Sequence, residues 1–144
     1  MTEISLLIPI FNVEKTITKV INRLINLMNN IPYSYEIILI NDGSTDSTLN
    51  KINKYVNTSN IKIISYKNNI GKGHALKHGI KFVNSKYTVF LDGDLEISAS
   101  NITDYVKSLQ NSDIAIASKQ HPNSGQSTNI SIKSPWEKKL LTVF

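Results

Sequence analysis

The sequence predicts a three-layer α/β sandwich, a mostly parallel sheet with helices on both faces. Three observations predict it. Largely apolar runs of strand length recur at 4–10, 36–40, 61–66, 87–91 and 114–117. Most are separated by segments whose apolar residues recur at helical spacing. Turn-forming clusters of Asn, Asp, Gly and Ser mark the joints. Strands that alternate with helices are joined by crossovers, and crossovers bring strands together in parallel with both faces covered.

Ile4 to Ile10 reads as a buried parallel strand, because the run is apolar without alternation. Asn12 is placed to cap the next helix, with Glu14 in its first turn, where the helix dipole favours an anion. Val13, Ile17, Val20, Ile21, Leu24, Ile25 and Met28 then mark one face of a helix over Val13 to Asn30. Glu36 to Ile40 is the second strand. It ends at Asn41-Asp42-Gly43-Ser44, a turn leading into a helix near Asp46 to Val56. Ile61 to Tyr66 is the third strand. Gly71-Lys72-Gly73 opens a helix whose inner face is Ala75, Leu76, Gly79, Ile80 and Val83. Tyr87 to Leu91 is the fourth strand and ends at Asp92-Gly93-Asp94. A helix follows from Ser98 or Ser100, then a fifth strand over Ile114 to Ala117. Residues 1–120 form the core on this reading. Residues 121–144 are a polar loop followed by the opening turns of a helix at Trp136 to Phe144, where the chain stops with no cap or turn.

Composition removes several classes of function. The chain has 144 residues, enough for one domain with a real core. It has no cysteine, so disulfides and thiolate metal sites are excluded. The first residues lack a basic stretch followed by an apolar one, and no apolar run is long enough to span a bilayer. The expected location is the cytoplasm, including the cytoplasmic face of a membrane. The net charge of +5 comes from scattered lysines, without the aromatic-plus-basic pattern of single-strand binding, so no nucleic-acid partner is expected.

In parallel sheets ligands bind beyond the carboxyl ends of the strands. The notable polar residues fall there: Pro9 to Glu14, Asp42, and Asp92 to Glu96. Asp92 and Asp94 flank Gly93, which allows a sharp turn, and together they can share one hard divalent cation, Mg2+ or Mn2+. Glu96 is placed to add a ligand. Asp42 reads equally as an acceptor for a nucleobase or sugar and as a helix cap. Lys72 and the helix start beside it can face a phosphate. The Walker spacing is absent, and the first strand lacks the glycine pattern of dinucleotide binding. His74 and His78 share a helix face, but no third ligand is apparent nearby, so zinc is the weaker reading. Trp136 reads as a packing residue.

These residues resemble family 2 glycosyltransferases of the GT-A type. Ser5-Leu6-Leu7-Ile8-Pro9-Ile10-Phe11-Asn12-Val13-Glu14 is similar to their opening strand and turn. Asn41-Asp42-Gly43-Ser44-Thr45-Asp46 is similar to their second-strand acidic turn, and Asn69-Ile70-Gly71-Lys72-Gly73-His74-Ala75 to the third motif. Asp92-Gly93-Asp94 matches the metal-binding DxD. The order holds from Ile4 to about Lys119, and the dolichyl- or polyprenyl-phosphate mannose and glucose synthases are the most similar subgroup. The resemblance implies a Rossmann-like GT-A core in which Pro9, Phe11, Glu14 and Asp42 line a nucleoside pocket. It implies Lys72 and Gly93 near the nucleotide, and Asp92, Asp94 and Glu96 on the metal. Lys119 stands where relatives often carry arginine, and Lys138 or Lys139 would offer a further phosphate contact.

The implied reaction is inverting transfer from a donor of the GDP-mannose or UDP-glucose type. A lipid phosphate acceptor is already an anion, and no clear general base for a hydroxyl acceptor is visible. Full-length relatives continue further, so a truncated chain with weak transfer is expected. Leu140, Leu141 and Phe144 are expected to form an apolar stripe for peripheral membrane contact. The alternative is a non-catalytic nucleotide-sugar-binding or assembly module. A nucleotidyltransferase would need a glycine- and arginine-containing loop after the first strand, and a receiver domain an acidic pair there, where this chain has Pro9.

Overall fold

The computed structural model describes residues 2–92, 102–103, 106–107, 114–117 and 139–143. Six strands form one sheet: β1 (Ile4–Ile10), β2 (Tyr35–Asp42), β3 (Ile61–Tyr66), β4 (Tyr87–Phe90), β5 (Ile114–Ala117) and β6 (Lys139–Val143). Their order is β3-β2-β1-β4-β6-β5, and every pairing is parallel. The helices are α1 (Ile17–Met28), α2 (Thr48–Ile52) and α3 (Lys72–Gly79). The predicted fold class is therefore the observed one.

β1 lies between β2 and β4, so its alternate residues enter two different cores. Ile4, Leu6, Ile8 and Ile10 pack with Ile37 and Leu39 of β2 and with Ile17, Val20, Ile21, Leu24 and Met28 of α1. Leu7 packs with Ile38, Ile40, Ala75 and Val83 on the opposite face. This two-sided burial explains why the strand is apolar without alternation. Ile102 and Val106, both helical, are buried in the first of these cores. The predicted start of their helix at Ser98 or Ser100 lies outside the described residues. Glu36 is buried on β2, and its charge is compensated by the Ser5 hydroxyl and by Lys62, 2.7 Å away.

Several expectations need correction. First, α1 begins at Ile17 rather than Val13, and Asn12 does not cap it. Asn12 has a φ of 50°, and its side chain accepts the Thr45 N–H at 2.8 Å. The loop after β2 takes this side chain before the helix can. Second, the segment after that loop is only five residues of α-helix followed by a 3₁₀ turn at Asn53–Tyr55, shorter than Asp46 to Val56. Ile80 is also 41% exposed rather than inward.

Third, residues 139–143 are a strand, not the start of a helix. Leu140 and Leu141 occupy consecutive strand positions between β4 and β5. The apolar stripe expected of Leu140, Leu141 and Phe144 rested on that helix, and Phe144 lies outside the described residues. A five-residue segment is ambiguous by period alone, and pairing on both sides decides it as strand.

Candidate active site

The strands β1, β2 and β4 end on the same side of the sheet, beside the start of α3. A cavity of about 630 Å³ opens there. Pro9, Ile10 and Phe11 line it from the end of β1, and Val13, Thr16 and Val20 from the approach to α1 and its first turns. Asp42 comes from β2, Asn69, Gly71 and Lys72 from the loop before α3 and its first residue, and Asp92 from the end of β4. Phe11 is 44% exposed, which leaves much of its side chain open.

Asp42 is 3% exposed and heavily bonded. Its Oδ1 accepts the Ile70 N–H at 2.9 Å, and its Oδ2 accepts the Gly71 N–H at 2.8 Å and the Asn69 side-chain amide at 3.1 Å. Burial pushes its pKa up. The Ile70 N–H, the Tyr66 hydroxyl, the Gly71 N–H and the nearby His74 outweigh that and hold the carboxyl below its ordinary value. The Tyr66 hydroxyl is buried and lacks a well-directed hydrogen bond among the described residues, yet lies near enough to act on Asp42. Burial and the Asp42 charge push the Tyr66 pKa up in turn.

Because the folded-state pKa of Asp42 is depressed, its stabilisation is fully present above the ordinary value of 3.8. It is lost as the pH falls through the lower folded value. Asp42→Asn should therefore destabilise the chain by about 1–2 kcal/mol at neutral pH. The gap from wild type should close below pH 4, roughly where carboxyls protonate. Urea denaturation across that range checks both.

Asp92 carries an ion pair to the Lys72 ammonium, with side chains 37% and 47% exposed. Lys72 begins α3 immediately after Gly71, whose φ of 106° suits glycine. Asp92 is a hard oxygen donor on an open cavity, and a cation already faces it, so a divalent ion fits this donor chemistry. Among the described residues no group of three His, Cys, Asp or Glu side chains converges to hold one.

Of the residues expected at the site, Pro9, Phe11, Asp42, Lys72 and Asp92 meet around one cavity. Glu14 does not line it. Its carboxylate accepts the Ser47 N–H at 2.9 Å, and its carbonyl accepts from Lys51 at 2.6 Å. Nor is it in the first turn of α1, which starts three residues later. Glu14 instead braces the start of α2. Gly93, Asp94, Glu96 and Lys119 lie outside the described residues, as does Lys138, while Lys139 opens β6. His74 and His78 stack at 5.9 Å and pack edge-on against Tyr66. Sequence reasoning assigned Asn69 no role of its own, although it opens the third of the quoted motifs and stands two residues before a turn glycine.

The family model for glycosyl transferase family 2 matches residues 5–142. This chain belongs to glycosyl transferase family 2. The dodecaprenyl-phosphate galacturonate synthase of Rhizobium johnstonii is 34% identical over 110 residues, 75% of this chain and 32% of that protein. The dolichyl-phosphate β-glucosyltransferase of Dictyostelium discoideum is 34% identical over 99 residues, 63% of this chain and 30% of that protein.

Two solved structures show how the family 2 chain folds. Residues 1–349 of S. aureus TarS in complex with UDP-GlcNAc match with a TM-score of 0.68 and 28% identity, covering 86% of this chain and 36% of that one. The mannosyltransferase PcManGT from Pyrobaculum calidifontis, in complex with GDP-Man and Mn2+, matches with a TM-score of 0.66 at 19% identity, covering 84% and 36%. The second likeness concerns the fold alone. The family 2 chain thus spans about a third of the length of these relatives. Among its described residues no helix is long and apolar enough to cross a membrane.

Proposed function

We propose that this chain supplies the nucleotide-sugar-binding part of an inverting glycosyltransferase whose acceptor is a polyprenyl or dolichyl phosphate. The observation that carries the reading is the single cavity where Phe11, Asp42, Lys72 and Asp92 meet at the strand ends. The names of the Rhizobium and Dictyostelium relatives support a lipid phosphate acceptor.

Phe11 offers an apolar face to a nucleobase, against the wall formed by Pro9, Val13 and Val20. Asp42 keeps the 69–71 loop in place, so the floor of the pocket is formed before the ligand arrives. Lys72 brings positive charge to the diphosphate. An acceptor phosphate oxygen attacks the anomeric carbon, the bond to the nucleoside diphosphate breaks on the opposite face, and configuration inverts. Asp92, with Asp94 and Glu96 following it in sequence, would hold Mg2+ or Mn2+, which as a Lewis acid offsets charge on the departing diphosphate.

Calorimetric titration with GDP-mannose, UDP-glucose and UDP-N-acetylglucosamine, with and without Mn2+, tests the reading. One of the three should bind in the micromolar to millimolar range, roughly that of enzyme substrates, and more tightly with Mn2+. Absence of binding by all three, in either condition, would count against it.

A further inference from the structure

We propose that Lys72 is an internal counter-ion for Asp92, displaced by the divalent cation and thereby turned toward the diphosphate. This deepens the reading above and rests on it.

The two carboxylates on the cavity differ in how firmly they are held. Asp42 is buried and accepts three hydrogen bonds from one loop, so its partners are permanent. Asp92 is paired across the cavity with a side chain from a different element, and both partners are more than a third exposed. Water screens such a pair, so it is held weakly. Lysine is suited to the exchange, since its ammonium is a compact point charge on a flexible four-carbon stem. A divalent ion brings twice the charge to the same oxygen ligand.

The position of Lys72 adds a second argument. It is the first residue of α3, where the helix dipole favours anions and disfavours cations. An ammonium there needs an anionic neighbour, which Asp92 supplies. Once a cation occupies Asp92, the nucleotide diphosphate is the anion that meets both the ammonium and the helix start. Metal and nucleotide binding are then coupled through Lys72, and the coupling acts equally in both directions.

Mn2+ titration of the full chain, followed by electron paramagnetic resonance, tests the exchange without any turnover. Lys72→Met should bind Mn2+ alone about two- to fivefold more tightly than wild type, the scale of one exposed ion pair. Lys72→Arg keeps the charge and should stay near wild type. With saturating Mn2+, UDP and GDP should bind Lys72→Met at least about fivefold more weakly, through loss of a charged contact. If wild type binds Mn2+ and Lys72→Met binds it no more tightly, the exchange is overturned while the reading of the site stands. Tighter binding by both variants would assign the effect to packing and overturn it as well. If no form binds Mn2+, the exchange is overturned, and the donor titration above decides the reading of the site separately.

Discussion

Asp92→Asn should lower Mn2+ affinity by at least about tenfold and sugar transfer or donor hydrolysis by about 10²–10³-fold, while the melting temperature stays at the wild-type value. The first part follows from charge. Replacing a carboxylate by an amide leaves a neutral oxygen where a hard cation prefers an anionic one. The loss in rate is the usual scale for removing one group that stabilises a developing negative charge. The third part follows from exposure. Asp92 is 37% exposed and its partner Lys72 is 47% exposed, so the pair contributes little to folding. A drop in turnover with no change in melting would place the role of Asp92 in the chemistry. Unchanged metal affinity would remove Asp92 from the metal site.

Gly43→Ala should destabilise the fold by about 2–4 kcal/mol and weaken nucleotide binding with it. Gly43 has a φ of 67°, a conformation that a side chain disfavours. A Cβ there would also stand 2.4 Å from the backbone of Asn68 and Asn69. Backbone cannot rotate aside as a side chain can, so the loop before α3 must shift. That loop carries Ile70 and Gly71, whose N–H groups Asp42 accepts, and it leads directly into Lys72. The substitution therefore acts on the cavity without touching any ligand. Thermal melting and UDP or GDP titration check the two effects, and a wild-type melting curve would show that the loop yields more easily than this contact implies.

The layered fold was legible because its signals are local. Five largely apolar runs gave the strands β1 to β5 within a residue or two, and in β1 and β2 burial on both faces accounts for the nearly unbroken apolar stretch. The 3.6-residue spacing from Ile17 to Met28 marked α1. The side of the sheet that carries Pro9, Phe11, Asp42 and Asp92 was legible too, because each follows or borders a strand end, and Lys72 was placed with them by its position at a helix start. β6 was misread because five residues are too few to show a period.

What the chain determines by itself is which residues turn, which pair and which end of the sheet collects the charges, because these depend on neighbours a few positions away. Tertiary structure alone decided the partners. Asn12 and Glu14 were read as helix-start residues, yet both bond to a loop more than 30 residues later. Asp42 was read as a ligand contact or cap, and besides lining the cavity it holds the 69–71 loop. Lys72 meets Asp92 only because α3 begins, and β4 ends, at the same cavity. A hydrogen bond or ion pair across such a separation leaves no periodic trace, since either partner could satisfy its charge with water or a nearer neighbour until the sheet brings the two together.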